Sequence, residues 1–360
     1  MKIAINIPIV GKEEISAVTS ILRNGALTSS ANQGGKHVQD FEKLTASFVK
    51  SKYVIAVNSG TAALQAALYA LDIKNGDEVL IPSFTFVATA NAVVSTGAKP
   101  IFVDILKENY TIDPDDLEKK ITKKTRAIIP VHLYGNVANI ERLTEISKKY
   151  NLPIIEDSAQ SLGSTYKRKH TGTFFEMGCF SMYPAKVMTS GEGGFIVTNN
   201  KKLRDKLLMI RNHGMIHGYD TKIFGLNLRL PEINAAIATI QMKKLPNFLK
   251  SRKRNAELLS KLISDLNVVI PTQRKNENVN WYLYTIATEK RDKFLKKLNE
   301  KGIGAASYYP IPVHKTPFYK SKTKLPITDW SASHVISLPI HPKVTQKNIE
   351  FIAKTIRDIL

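Results

Sequence analysis

The stretch FSMYPAKVMTSGEGGFIVT, residues 180–198, sets one lysine, Lys186, between a short aromatic run and a run of glycines. The segment that follows, GFIVT, is continuously apolar, as a strand buried on both faces would be. A surface lysine needs neither neighbour. A lysine held at the end of a buried strand and facing other strand ends loses hydration, and the neutral amine that imine chemistry requires becomes accessible. The glycines beyond it allow tight turning and close backbone approach.

Working outward, short apolar runs recur from about residue 50 to 200: YVIAV (53–57), EVLIP (78–82), PIFVD (100–104), RAIIPVH (126–132), LPIIED (152–157), GCFSMY (178–183) and GFIVT (194–198). Between the first two, TAALQAALYAL places Leu64, Leu68 and Leu71 at helical spacing. Strands alternating with helices predict an α/β fold with a mostly parallel central sheet covered on both faces. After Pro231 the pattern becomes a long helix, expected to be interrupted at Pro246, then a strand at VNWYLYTIAT and a helix at KFLKKLNEKGI closed by Gly302. The expected organisation is a large domain over residues 1–244, including an N-terminal segment, and a smaller α+β domain over 245–360.

Bulk properties narrow the classes. The chain has 360 residues, 43% of them hydrophobic, which is ample for a large core. No run approaches a membrane span, and the start MKIAINIPIVGKEE lacks the pattern of a secretion signal, so a soluble, cytoplasmic protein is expected. The single cysteine, Cys179, excludes an internal disulfide and a cysteine-built metal site, and reads as a small buried hydrophobe. A net charge of +21 invites a nucleic-acid reading. Its lysines are scattered, however, as in KKITKK (119–124), without the interleaved aromatics of a stacking groove.

Two further motifs bear chemistry. In IIEDSAQSLG, Glu156 and Asp157 sit where the apolar run stops, with Gln160 one turn on, and parallel sheets carry functional groups at such strand ends. Asp157 alone reads as a helix cap; with its neighbours it forms a site for a cationic heteroaromatic ring. In VNSGTAALQAAL, Ser59, Gly60 and Thr61 lie between a strand and a helix, where amides and hydroxyls can meet a phosphate. The segment is neither a P-loop nor a dinucleotide fingerprint, and an ordinary helix cap is the competing reading. An acid, a phosphate cradle and a lysine are together what pyridoxal phosphate requires.

With these residues on the page, the chain resembles the DegT/DnrJ/EryC1/StrS family of pyridoxal-phosphate-dependent sugar aminotransferases, which have the aspartate aminotransferase type I fold. The likeness runs through FEKLTASFV, VNSGTAAL, GDEVLIPSFTFVATANAV, VHLYGN, IIEDSAQSLGS, FSMYPAK with SGEGG, RNHGM, GLNLRLPEINAAIATIQ and SLPIHP. It implies that Lys186 joins the cofactor as an imine and moves the substrate proton, that Asp157 pairs with the pyridinium nitrogen, and that Gln160 meets the phenolic oxygen. It implies Phe86 stacked on the ring, and Gly60, Thr61 and Ser181 on the phosphate. It further implies a homodimer in which Asn227 reaches the partner subunit's phosphate, with Arg229 and His314 near the substrate. The amino group would pass from L-glutamate to a nucleotide-linked keto sugar, with no metal, nucleic acid or membrane involved.

Departures from the family pattern fall at Met182, Ala185 and Val187, which are packing positions, and in LTSSANQGGKHV, where Thr28, Ser29 and Ser30 precede a displaced Gly34 and Gly35. In relatives that turn lies near the substrate sugar, so substrate identity stays open. Some relatives are sugar dehydratases, but the best-known type carries His where this chain has Lys186, which favours transamination. A non-enzymatic regulatory or nucleic-acid-binding protein on the same scaffold is the remaining alternative, and the intact Lys186, Asp157 and Gln160 oppose it.

Overall fold

The computed structural model describes residues 2–216 and 218–360. Its strands form where the apolar runs predict them: β1 (Tyr53–Val57), β2 (Glu78–Pro82), β3 (Lys99–Val103), β4 (Thr125–Ile128), β5 (Ile155–Asp157), a short ribbon of β6 (Thr165–Tyr166) and β7 (Lys169–His170), then β8 (Met177–Ser181) and β9 (Gly194–Thr198). The order β1-β9-β8-β5 continues through bridges at Ile128–Ile154 and Val131–Asp157 into β4-β2-β3. Neighbours run parallel except that β9 lies antiparallel between β1 and β8. The reversal has a local cause. Residues 182–193, which join β8 to β9, contain no helix, and a parallel return needs a crossover that is usually helical.

Alternate residues of each strand enter different cores, as the period of two requires. Ile55 and Val57 of β1, Val79 and Ile81 of β2, and Met177 and Cys179 of β8 pack on one face. Val54, Ala56, Phe180, Phe195 and Val197 pack on the other, where the rings of Phe180 and Phe195 stack with centroids 4.5 Å apart. The helices are α1 (Lys12–Asn24), α2 (Lys36–Val49), α3 (Gly60–Ala70), α4 (Ala88–Val94), α5 (Pro114–Lys119), α6 (Ile140–Tyr150), α7 (Lys201–Arg211) and α8 (Glu232–Ile263). Ala63, Leu64, Ala67 and Leu68 of α3 fill the first face, while α2 and α8 cover the second through Val38, Phe41, Ala235 and Met242. Cys179 is buried, and burial pushes its thiol well above the ordinary range.

Beyond α8, β10 (Glu277–Asn278) joins the ribbon of β6 and β7, and β11 (Tyr284–Ala287) pairs antiparallel with β12 (Val335–Leu338). Around this pair lie α9 (Arg291–Glu300), α10 (Pro326–His334) and α11 (Gln346–Ile359). Ile286, Leu298, Ile336 and Ile352 build a separate core that also takes in Ile3, and Ile3 bridges Ile303.

Some expectations are corrected. The long helix is not interrupted at Pro246: α8 runs through it. An interior proline costs roughly 3 kcal/mol, but Met242, Leu245 and Phe248 are buried on both sides of it, so packing holds the two halves as one. The run RAIIPVH yields only β4, ending before Pro130, which cannot donate to a ladder. The run VNWYLYTIAT yields β11 alone, because Trp281 adopts a left-handed φ of 53° that no strand tolerates.

Candidate active site

The register of β1, β9, β8 and β5 assembles the site. Asp157 closes β5 opposite Cys179, Ser181 closes β8 opposite Gly194, and Gly194 opposes Val57 at the end of β1. Asn58 and Ser59 follow Val57 directly and lead into α3. One edge of the sheet thus presents the acid, the hydroxyl and the helix start side by side, with Lys186 on the loop between β8 and β9.

Asp157 is buried; its Oδ2 accepts from the Thr89 hydroxyl at 2.8 Å and its Oδ1 from the Ala159 N–H at 3.1 Å. Burial pushes its carboxyl up, and the two donors and the charge of Lys186 pull it back without prevailing. An acid in that condition lacks a cationic partner. Glu156 does not share the role expected of the pair. Adjacent strand residues point to opposite faces, so its carboxylate turns away, taking the N–H groups of Gly172, Phe174 and Phe175 at 2.6, 2.7 and 3.1 Å and His132 Nε2 at 2.9 Å. His132 Nδ1 accepts from the Ala138 N–H, so Nε2 is the donor to Glu156. Removing this carboxylate orphans four donors, those of Gly172 and His132 buried and those of Phe174 and Phe175 partly buried. Glu156→Ala is therefore expected to lower stability by about 3–5 kcal/mol, read as a lower urea midpoint at unchanged slope; a midpoint equal to that of the wild type contradicts the account.

Gln160 is fixed at both ends. Its Oε1 accepts from the Tyr134 N–H at 2.8 Å and its Nε2 donates to the Tyr309 hydroxyl at 3.1 Å. Phe86, just before α4, is 55% exposed, and its ring leans towards Tyr309 with centroids 6.1 Å apart. Lys186 is partly exposed rather than sealed, and its Nζ stands 5.0 Å from the centroid of the Tyr282 ring.

Ser59 caps α3, its hydroxyl accepting from the Ala62 N–H at 3.1 Å, so the helix-cap reading holds for that side chain. Gly60 and Thr61 stay open at the helix start. A Cβ at Gly60 would stand 2.7 Å from the Ser181 Cβ, so glycine alone lets the helix start close on Ser181. An open cradle of amides and hydroxyls, a buried acid and a nearby lysine fit pyridoxal phosphate.

Two of the remaining expected residues lie beside the end of β1, where Arg229 bridges Val57. Asn227 is exposed, and its carbonyl accepts from the Asn58 side chain at 3.3 Å. Arg229 donates to Asn212 Oδ1 at 2.7 Å. His314 is fully enclosed: its Nδ1 lies 2.7 Å from the Ser83 hydroxyl, and the same hydroxyl accepts from its backbone N–H at 3.0 Å. It pins the segment leading to Phe86 and offers no face to a substrate. The turn at residues 29–33 lines a cleft of about 610 Å³ together with Met209, Asn212 and Ile216. Thr89, Tyr134, Tyr282 and Tyr309 were missed. The signal that could have found Thr89 is its place in the matched run PSFTFVATANAV.

A model of DegT/DnrJ/EryC1/StrS aminotransferases matches residues 8–357. The chain belongs to this family. Aminotransferases of the family depend on pyridoxal phosphate, and so does this one. The chain is 35% identical over 352 residues to dTDP-3-amino-3,4,6-trideoxy-alpha-D-glucose transaminase of Streptomyces venezuelae, covering 96% of this chain and 93% of the relative. It is 36% identical over 344 residues to UDP-2-acetamido-2-deoxy-3-oxo-D-glucuronate aminotransferase of Pseudomonas aeruginosa, covering 95% and 94%. The crystal structure of S. venezuelae DesV superposes with a TM-score of 0.92 at 34% identity, over 96% of this chain and 94% of that one. The type I transferase fold and the aminotransferase activity expected from the sequence are therefore established. Among the described residues, no helix is long and apolar enough to cross a membrane.

Proposed function

We propose that this aminotransferase moves an amino group from L-glutamate to a nucleotide-linked keto sugar, a 3- or 4-keto-6-deoxy hexose, to make an amino sugar for polysaccharide, glycan or secondary-metabolite synthesis. The single observation that carries the reading is the convergence of Lys186 and the cation-seeking Asp157 on one sheet edge, where the charge of Lys186 acts on that carboxylate. The relatives named above act on nucleotide sugars by name, and the cleft at residues 29–33 offers the side chains of Ser29, Ser30, Asn32 and Gln33 to a sugar.

Bound there, pyridoxal phosphate supplies an electron-poor ring that draws electrons from the carbon bearing the amine. The chain's own residues do the rest. Lys186 Nζ takes a proton from that carbon and returns one in each half of the exchange. Asp157 would hold the ring nitrogen protonated, Gln160 would meet the phenolic oxygen, and Phe86 would cover the ring. Gly60, Thr61 and Ser181 hold the phosphate. Asn227, exposed on its loop, reaches the phosphate of a second copy, so the active form is a cytoplasmic homodimer, and Arg229 borders the substrate. The division into residues 1–244 and 245–360 belongs to the same proposal, the first part carrying the cofactor and the second closing over it.

The test is incubation of the cofactor-loaded protein with L-glutamate and a panel of nucleotide-linked keto sugars. Release of 2-oxoglutarate in step with one amino-sugar nucleotide is expected. Transfer only to simple keto acids, across the whole panel, would remove the sugar from the proposal.

A further inference from the structure

The guanidinium of Arg252, in α8, is 3% exposed and has no carboxylate partner among the described residues. It donates instead to the carbonyls of Trp281 at 3.3 Å and Tyr282 at 3.1 Å and to Asn6 Oδ1 at 3.1 Å, while its Nε has no partner at all. Burial holds it down to about 10. A cation sealed without a counter-charge is costly, and an apolar side chain would fill a helix face at lower cost. Its two hands both lead to Lys186. On one side, the bond from Arg252 fixes which way the Asn6 amide faces, so that Nδ2 donates to the Pro184 carbonyl at 3.0 Å, two residues before the lysine. On the other, the carbonyl it holds belongs to Tyr282, whose ring lies beneath Lys186 Nζ. Asn6, Pro184, Lys186 and Arg252 line one narrow cleft.

The N-terminal segment that brings Asn6 there is tied along its length. Ile3 bonds Gly302, the Ala4 carbonyl accepts from His341 Nε2 at 3.1 Å, and the Ile9 carbonyl accepts from Gln241 Nε2 at 2.6 Å. Gln241 Oε1 in turn accepts from the Thr189 N–H at 3.4 Å, three residues past the lysine. The segment therefore spans the lysine loop and grips it before and after the reactive residue.

We infer that Asn6 and Arg252 are positioning residues for Lys186, holding its loop and its covering ring in one geometry from outside the cofactor site. The inference rests on Lys186 being the residue that captures the cofactor. Its test uses Asn6→Ala, Arg252→Lys and the double variant. Asn6→Ala deletes two bonds of a partly buried segment, the one from Arg252 and the one to Pro184, and leaves the guanidinium in place, so it folds even where the others do not. Two quantities are read: kcat and KM per bound cofactor, and the rate at which cofactor-free protein captures pyridoxal phosphate, trapped with borohydride and weighed. Misplacement of a reacting group by a fraction of an ångström to an ångström costs up to about a hundredfold, so kcat and the capture rate are each expected to fall by about tenfold to a hundredfold. KM for both substrates should stay within about twofold, since ground-state binding is untouched. The double variant should be no slower than the slower single one, because both act on one path. Wild-type kcat and capture in Asn6→Ala, or losses that multiply in the double variant, overturn the inference. Lys186→Ala measured alongside separates this from the functional reading: if it still captures the cofactor covalently, the reading itself has failed.

Discussion

Lys186→Ala is expected to end turnover while leaving the fold intact. One amine serves both halves of the exchange, so its removal is felt twice, and each assisted proton transfer is worth about a hundredfold to ten-thousandfold. The side chain is partly exposed and contributes little to the core, while the loop keeps its backbone bond from the Lys186 N–H to the Tyr183 carbonyl at 2.9 Å. The melting curve of the cofactor-free protein should therefore move little, any loss being confined to the charge that Lys186 sets against Asp157. The chemistry has its own readout. After borohydride treatment the wild-type chain should carry the mass of the cofactor, and the variant chain should not. A variant that still gains that mass, or still turns over at the wild-type rate, would show that another amine does the work.

The lysine, the acid and the helix start were legible because each stands where an apolar run stops, and strand ends are visible in a single sequence. β1, β2 and β9 fall on the runs that named them. What encloses the site was not legible. Thr89 reaches Asp157 from 68 residues away, Tyr309 reaches Gln160 from 149, Asn6 reaches Pro184 from 178, and Tyr282 comes to Lys186 from another remote segment. No periodicity marks such a residue; only the folded register brings it in. Glu156 shows the opposite difficulty. Its place beside Asp157 suggested a shared task, yet one step along a strand reverses the side chain, and the two carboxylates serve different faces. The antiparallel course of β9 escaped for a related reason, since an apolar run has no direction and only the helix-free connection before it records the turn.

Asp157 offers the sharpest test, because activity and stability should move in opposite directions. Burial raises its carboxyl above the ordinary value near 4, against the pull of Thr89, Ala159, Lys186 and His132. For a group raised on folding, the stability it contributes is fully present below the unfolded value and is lost as pH rises through the folded value. Cofactor-free protein should therefore carry a penalty at pH 8 that is absent at pH 4. Asp157→Asn removes the charge while its side-chain oxygen still accepts from Thr89 or Ala159, so the cofactor-free variant should melt above the wild type at pH 8, with the gap closing towards pH 4. Activity should fall by about a hundredfold to a thousandfold, as when one preorganised charge is taken from a reacting centre, because nothing then holds the ring nitrogen protonated. Bound cofactor should cancel the stability advantage, since the pyridinium is the partner the wild-type carboxylate lacks. A variant that melts below the wild type at pH 8, or one that retains full activity, would mean that the acid at the end of β5 serves only to anchor the helix-free turn that follows it.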